Sequence, residues 1–159
     1  MELPDVKYLK MDFEQCVLQE HEYCRFRQNE SVEMFSGHRG QMSQFCGHEE
    51  KCKQFNNPDS MQQAKKNVEK YYPVVGVTEY MNRTLEVLED RLPEFFPDAR
   101  ERMEFIYKLP GLIRNTNHIK VPVNNEVLEK IKPKFAHEYE FYEFCKQRLF
   151  IQWSNLGIK

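Results

Sequence analysis

Residues 71–96 read YYPVVGVTEYMNRTLEVLEDRLPEFF. The β-branched run at residues 74–77 is bounded by Pro73 and Thr78, and this pattern predicts a short buried β-strand. Apolar residues then recur at helical spacing before Pro93, which predicts an amphipathic helix capped by Thr78: Met81, Leu85, Leu88 and Leu92. A strand that leads directly into such a helix is the βα unit of an α/β fold.

The single strand also bears on domain organisation. A strand alone leaves its backbone donors and acceptors unpaired, so the α/β interpretation predicts neighbouring strands that these 159 residues do not contain. We therefore expect one incomplete, mostly helical α/β domain over residues 59–159. Residues 1–58 show no sustained period, which predicts a loop-rich segment pinned by disulfides, with a short helix around residues 12–19. A partly disordered leader is the alternative for residues 1–58.

Three more helices are expected in the second part of the chain. The first is capped by Asp59 or Ser60 and ends before Pro73, with a stripe of Met61, Ala64, Val68 and Tyr71. The second runs from Asn124 or Asn125 to Ile131, after a long surface segment that follows Pro93. The last opens at Pro133 and carries two apolar stripes, formed by Phe135, Tyr139, Tyr142 and Leu149 and by Phe141 and Phe144.

The five cysteines indicate a redox environment. Four form close pairs with seven and five intervening residues, a poor fit to the spacing of most zinc sites. Two local disulfides, Cys16–Cys24 and Cys46–Cys52, fit better, and each contributes roughly 2–3 kcal/mol in the loop-entropy estimate. Disulfides persist in secretory compartments, and Asn29 and Asn82 begin N-glycosylation triplets, so these patterns favour a lumenal protein. Cys145 is predicted to be a buried thiol outside both bridges.

The formal net charge of −2 is unevenly spread. Residues 108–134 hold six basic and two acidic side chains, so this basic segment carries +4 and the remainder −6. The basic segment either faces an anionic ligand or is a solvated lysine-rich face. No stretch has the roughly 18 apolar residues of a membrane span, and the charged first residues lack the apolar core of a signal peptide.

Five motifs, in order, resemble the family of heparan sulfate 2-O-sulfotransferases and uronyl 2-sulfotransferases. Two contain the cysteine pairs: F-x-x-C-V from Phe13 with a second cysteine at Cys24, and F-C-G-H-x-x-x-C over residues 45–52. Two lie in the stretch quoted above, VGVTE at residues 75–79 and L-P-x-F-F at residues 92–96. The fifth is EFYEF at residues 140–144. Each motif alone is weak, but five in the right order are specific together.

The resemblance implies that the chain is the carboxy-terminal part of a P-loop-like α/β sulfotransferase. It implies a Golgi membrane enzyme, needing no metal, that transfers sulfate from 3′-phosphoadenosine 5′-phosphosulfate to the 2-hydroxyl of a uronic acid. The polysaccharide would be heparan, dermatan or chondroitin sulfate. In the family, the general base and the lysine at the leaving phosphate oxygen precede the first cysteine pair. No catalytic residue is therefore expected here, and the chain alone is not expected to transfer sulfate.

A basic loop of the family, S-H-L-R-K-T-T-E-K-K, closes over the nucleotide and corresponds to GLIRNTNHIK at residues 111–120. Arg114 and Thr116 match it directly and Lys120 falls on a family lysine, so the resemblance implies that these three contact the nucleotide phosphate. Several other positions of the loop differ. The family forms homotrimers, although IQWSNLGIK at residues 151–159 replaces its assembly tail.

The five histidines are expected to be structural or exposed. His118 lies in the nucleotide loop but does not match the family's base, and His48 follows Cys46 and Gly47 in a turn. His21, His38 and His137 have no visible partner or metal spacing.

Two other functions are compatible with the sequence. One is a non-catalytic lumenal protein that binds sulfated glycans or partner subunits through the basic segment. The other is a cytosolic interaction domain with reduced cysteines. Thiol titration separates the last from the others, because two disulfides leave one titrating thiol and reduced cysteines leave five.

Overall fold

The computed structural model describes residues 11–21, 24–29, 40–109 and 121–157. Its α-helices are α1 (Phe13–Leu18), α2 (Met42–Cys46), α3 (Pro58–Tyr71), α4 (Met81–Arg91), α5 (Ala99–Lys108), α6 (Asn125–Ile131) and α7 (Ala136–Ser154). Short 3-10 helices occupy Glu50–Lys53, Thr78–Tyr80 and Lys132–Phe135. The chain divides into two compact units, Met1–Asn67 with Pro122–Phe141 and Val68–Val121 with Tyr142–Lys159, and the division falls within α3 and α7. The boundary predicted at residues 58 and 59 stays a prediction.

The first unit has a core built around the disulfide Cys16–Cys24, whose Cα atoms are 5.7 Å apart. Val17 of α1 and Val127 of α6 are buried against it. Both helices have the side-chain caps that their sequences favour. The Asp12 carboxylate accepts a hydrogen bond from the Gln15 N–H at 3.1 Å, and the Asn124 amide oxygen accepts one from the Glu126 N–H at 3.0 Å. The short helix predicted around residues 12–19 and the helix predicted to end at Ile131 are therefore confirmed.

The second disulfide, Cys46–Cys52, links α2 to the 3-10 helix at Glu50–Lys53. Both predicted pairings are thus present, and Cys145 is buried outside them. The carboxyl end of α2 is capped by the Asn67 amide, which donates to the carbonyls of Phe45 and Cys46 at 2.9 Å each. Because four last carbonyls of any helix lack partners within it, this side chain satisfies two of them.

Helix α3 begins one residue earlier than its predicted cap. The side chain of Asn57 accepts hydrogen bonds from the N–H groups of Asp59 and Ser60 at 2.8 and 3.1 Å, so Asn57 is the capping side chain and the prediction of Asp59 or Ser60 was wrong. Ser60 is buried instead, and its hydroxyl donates to the Lys51 carbonyl. Three of the predicted stripe residues are buried, Met61, Ala64 and Val68, whereas Tyr71 is exposed.

In the second unit, the prediction of a β-strand at residues 74–77 was wrong. Residues 74–77 are extended, but the part of the chain that the structure describes contains no β-sheet. Side chains supply the partners that a neighbouring strand would have given. The Thr84 hydroxyl bonds both main-chain groups of Val77, Arg148 donates to the Tyr72 carbonyl at 3.2 Å, and Gln152 donates to the Pro73 carbonyl at 2.7 Å. Polar side chains can thus satisfy the main-chain hydrogen-bonding groups of an extended segment that belongs to no sheet.

The core of the second unit joins this extended segment to two helices. Val77, Val87 of α4 and Leu149 of α7 are buried together. Gly76 is required here, because a Cβ atom on it would lie 2.4 Å from the Thr84 methyl carbon. Thr78 does not cap α4: it opens a 3-10 turn, its hydroxyl lies 3.1 Å from the Glu79 carboxylate, and α4 begins at Met81. The helix ends at Arg91, before Pro93 as predicted.

Helix α5 lies where the sequence predicted a surface segment. It has no buried residue, so burial does not explain its formation. Contacts with α4 fix its first turn: the Glu89 carboxylate accepts hydrogen bonds from the Arg100 N–H at 2.8 Å and from its Nε at 2.9 Å. The backbone N–H bond is the main cause that lowers the pKa of Glu89 below its ordinary value.

The last helix, α7, is preceded by a 3-10 turn that contains the predicted Pro133. Its buried side chains are Phe141, Cys145 and Leu149, which recur every four residues. The predicted main stripe was therefore partly wrong, since Tyr139 is exposed and Phe141 is buried. Among the described helices, none is both long enough and apolar enough to cross a membrane.

Candidate functional site

The predicted nucleotide-contacting residues Arg114, Thr116 and Lys120 lie outside the described residues, as do His38 and His118. Their roles stay predictions. Of the described histidines, His48 is exposed beside the second disulfide and His21 is partly buried near the first. The described residues contain no group of three or more His, Cys, Asp or Glu side chains placed to hold a metal ion.

The described lysines of the basic segment already have partners. Each lies near a carboxylate or a carbonyl of the chain itself: Lys108 near Glu104 at 3.9 Å, Lys130 near Glu20 at 3.8 Å, Lys132 near Glu129 at 2.7 Å, and Lys134 near the Arg25 carbonyl at 3.0 Å. The hydrogen bond that Lys132 donates to Glu129 raises the pKa of Lys132. These exposed pairs are weak, but they reduce the positive field of the segment. An anion site here would depend on Arg114 and Lys120.

A partly buried carboxylate, Glu138, lies at the amino end of α2. Its Oε2 accepts hydrogen bonds from the N–H groups of Gln41 and Met42 at 2.9 and 3.1 Å. Its Oε1 is buried and lacks a hydrogen-bond partner. Gly40 has a φ of +65°, and a Cβ atom on it would lie 1.9 Å from that Oε1. Burial raises the pKa of Glu138, while the two N–H donors oppose the shift.

Glu138 is itself held by a cap. The buried Asn56 side chain accepts hydrogen bonds from the N–H groups of His137 and Glu138 at 2.8 and 3.2 Å, at the amino end of α7. The His137 Nδ1 lies 3.8 Å from the Glu140 carboxylate, which also pairs with Lys65 at 2.8 Å. The hydrogen bond from Lys65 lowers the pKa of Glu140. These contacts hold two helix ends together, which is a structural role.

An aromatic cluster in the second unit surrounds a guanidinium group that the sequence analysis did not single out. The Cζ atom of Arg83 lies 4.5 Å from the ring centroids of both Phe150 and Trp153, and 5.8 Å from that of Tyr80. The Tyr80 and Phe150 rings meet edge to face at 4.9 Å. We call these four residues the Arg83 cluster. Its one sequence signal is the one-turn spacing of Tyr80 with Arg83 and of Phe150 with Trp153.

A carboxylate of α4, Glu86, holds the Trp153 ring of the Arg83 cluster in place. The Trp153 Nε1–H donates to the Glu86 carboxylate at 2.7 Å. Glu86 also lies 3.4 Å from the Arg100 guanidinium, which pairs with Glu89. Hydrogen bonds and charge from Glu89 raise the pKa of Arg100. The indole ring is thus fixed through a carboxylate that is already balanced by a second arginine.

Comparison with known proteins identifies relatives. The chain is 36% identical over 157 residues to the uronyl 2-sulfotransferase homolog pip of Drosophila melanogaster, an alignment that covers 98% of this chain and 30% of that protein. The predicted family resemblance is confirmed. Heparan sulfate 2-O-sulfotransferase hst-2 of Caenorhabditis elegans is 33% identical to this chain over 106 residues. Heparan sulfate 2-O-sulfotransferase 1 of Homo sapiens is 34% identical to it over 106 residues. This chain spans 32% and 29% of their lengths. No family model matches, and no solved structure matches.

The similarity to 2-O-sulfotransferases agrees with the disulfides of the structure. The motifs F-x-x-C-V and F-C-G-H-x-x-x-C, which carried the resemblance, contain the four cysteines that form Cys16–Cys24 and Cys46–Cys52. The similarity to the Drosophila protein is not confined to these motifs, since the alignment covers 98% of this chain.

The two glycosylation triplets have different surroundings. Asn29 accepts a hydrogen bond from the Asn57 amide at 3.0 Å. Asn82 is exposed on α4, whereas the hydroxyl of Thr84 in the same triplet is buried against Val77. Thr84 therefore has a structural role whether or not Asn82 carries a glycan.

Proposed function

We propose that this chain forms part of a glycosaminoglycan uronosyl 2-O-sulfotransferase with a P-loop-like fold. The reaction would transfer sulfate to the 2-hydroxyl of a uronic acid, in line with the names of the relatives, and the family resemblance implies 3′-phosphoadenosine 5′-phosphosulfate as the donor. The observation that carries the proposal is the 36% identity to the uronyl 2-sulfotransferase homolog over 98% of the chain.

Within that enzyme, residues 111–120 would close over the nucleotide. Arg114 would donate two parallel hydrogen bonds to a phosphate, since a planar guanidinium matches phosphate oxygens, and Thr116 and Lys120 would donate one each. The pairing of the described lysines supports this assignment, because it leaves fewer basic residues of the segment available for a ligand.

The proposal assigns no catalytic group to these 159 residues. Sulfate transfer needs a base at the acceptor hydroxyl and a donor at the leaving phosphate oxygen, and neither was identified in the sequence. Of the described side chains, Glu138 bonds to the amino end of α2, and Glu140 and Lys65 pair with each other. Location in the Golgi lumen, glycosylation at Asn29 and Asn82, and assembly as a homotrimer complete the proposal.

Nucleotide binding tests the assignment. Calorimetry with 3′-phosphoadenosine 5′-phosphate should show binding to the disulfide-bonded chain that weakens at least about tenfold in Arg114→Ala with Lys120→Ala. Lys132→Ala removes a lysine that pairs with Glu129 and is the matched control, with no expected change. Undetectable binding, or equal losses in both variants, would contradict the nucleotide role. An assay with the sulfate donor and desulfated heparan should show no turnover by the chain alone.

A further inference from the structure

Arg83 is a cation held by aromatic rings instead of by an acid. Its guanidinium carbon lies 4.5 Å from the ring centroids of Phe150 and Trp153. Within the described ranges, its N–H groups have no hydrogen-bond acceptor, and no carboxylate lies within ion-pair distance. Arg100, nearby in the chain, has the opposite arrangement, with two carboxylates at its guanidinium.

The rings that hold Arg83 are themselves fixed. The Trp153 indole donates to Glu86 at 2.7 Å, and the Tyr80 ring packs edge to face against Phe150 at 4.9 Å. A guanidinium that stacks on fixed rings loses its rotamer freedom before any ligand arrives. Binding through such a group is favourable, because less entropy is lost at the moment of contact.

Stacking leaves the binding edge of the guanidinium available. The contacts of the guanidinium carbon are with ring faces, and a guanidinium carries its N–H donors in its own plane, at its edge. That fork matches two oxygens of a carboxylate or of a sulfate ester. The Arg83 side chain is only partly buried, so solvent reaches it.

The acids nearest to Arg83 in the sequence bond to other groups of the chain and form no ion pair with it. Glu86, one turn along α4, is engaged by the Trp153 indole and by Arg100. Glu79, one turn before, accepts a hydrogen bond from the Thr78 hydroxyl at 3.1 Å. The positive edge of Arg83 is therefore available to an external anion.

We propose that the Arg83 cluster is a binding site for one oxyanion group, a sulfate ester or a uronate carboxylate, of an acidic glycan. The oxyanion chemistry follows from the uncommitted guanidinium fork. The choice of a glycan rests on the proposed function. The site is separate in sequence from the nucleotide-contacting residues 111–120, so the two can be tested independently.

The chain carries its own reporter for this site, because Trp153 is its single tryptophan. Titration of the intact, disulfide-bonded chain with a heparin octasaccharide at low salt should give a saturable change in tryptophan fluorescence. Arg83→Gln should weaken binding about tenfold and reduce the slope of log affinity against log salt by about one. Arg83→Lys, which keeps the charge without the fork, should fall between.

Arg91→Gln is the matched control, since Arg91 lies on the same helix and carries the same charge but faces Asp90. Its affinity should stay within about twofold of the unaltered chain. Equal losses in Arg83→Gln and Arg91→Gln would show general charge attraction and overturn the site, as would an unchanged affinity in Arg83→Gln. Arg83→Met keeps apolar contact with the rings and repeats the test if the glutamine variant unfolds.

Three further ligands separate the possible chemistries. Heparosan retains carboxylates without sulfates, and carboxyl-reduced heparin retains sulfates without carboxylates, so Arg83-dependent binding to either identifies the group. A single-stranded oligonucleotide that binds as tightly, with the same dependence on Arg83, would overturn the glycan assignment. Binding of 3′-phosphoadenosine 5′-phosphate should be unchanged in Arg83→Gln, which distinguishes failure of this site from failure of the nucleotide role.

Discussion

The Thr84 hydroxyl bonds both main-chain groups of Val77: it accepts from the Val77 N–H at 3.1 Å and donates to the Val77 carbonyl at 3.2 Å. Val77 and Thr84 are both buried, at 4% and 6% exposure. One side chain therefore replaces a pair of ladder hydrogen bonds that an adjacent strand would supply.

Replacing Thr84 by valine should destabilise the chain by about 1–3 kcal/mol, because two buried polar groups of Val77 lose their partner. Thr84→Ser keeps the hydroxyl and should lose less. Urea unfolding of protein made without glycosylation measures both, since valine also removes the Asn82 triplet. Equal stabilities of the two variants would contradict this role of the hydroxyl.

Asn56 should stabilise the amino end of α7, although it lies about eighty residues before that helix in the sequence. Its side chain accepts from the N–H groups of both His137 and Glu138, so Asn56→Ala should cost about 1–2 kcal/mol. Asn56→Asp keeps an acceptor at the positive end of the helix and should cost less. Asn56→Gly relieves the φ of +50° without an acceptor and separates strain from capping. If glycine restored full stability in thermal unfolding, capping would not be the cause.

The pKa of Glu138 predicts a pH dependence of stability. Because burial raises it above the ordinary value of 4.5, the folded chain binds this proton more tightly than the unfolded chain. Its contribution is complete below the unfolded pKa and is lost as pH rises through the folded pKa. Glu138→Gln is neutral throughout, so its melting temperature relative to the unaltered chain should increase between pH 4.5 and 8.

If the melting temperatures of the two proteins changed in parallel with pH over that interval, the raised pKa of Glu138 would be contradicted. Glu89 and Glu140 do not confuse the measurement, since their pKa values are lowered. Their contributions are present above the unfolded pKa and are lost only as pH falls below it. They are also common to both proteins.

Thiol titration should give one reactive group in denaturant and five after reduction, because Cys145 alone lies outside the two disulfides. In the folded chain Cys145 should react slowly, since it is 5% exposed. Replacing either cysteine pair by serines should cost roughly 2–3 kcal/mol by the loop-entropy estimate. Five groups without reduction would contradict the disulfides.

Local patterns predicted the features that depend on local contacts. The two disulfides follow from the short cysteine spacing, α6 from its predicted cap at Asn124, and the end of α4 from Pro93. The short helix α1 was predicted without its cap, Asp12.

The predicted strand failed because the main-chain groups of Val77 bond the Thr84 side chain of α4, and no period of two reveals that contact. The carbonyls of Tyr72 and Pro73, just before the predicted strand, are bonded by side chains of α7. Helix α5 has Ala99, Met103 and Ile106 at helical spacing, a pattern that the sequence analysis did not use, and none of its residues is buried.

The candidate sites were predicted less well than the helices. The residues that the family resemblance assigned to the nucleotide, Arg114, Thr116 and Lys120, lie outside the described residues. The Arg83 cluster brings together α4 and α7, more than sixty residues apart in the sequence, and only the fold reveals that contact. The cap of α7 by Asn56 is of the same kind.

The two disulfides are complete by residue 52, whereas Asn56 and Gln41 must await partners at residues 137 and 138. In an oxidising compartment, both bonds can close before synthesis has reached Cys145, since short loops close fastest. Closure in that order would leave Cys145 no free cysteine among these residues with which to mispair.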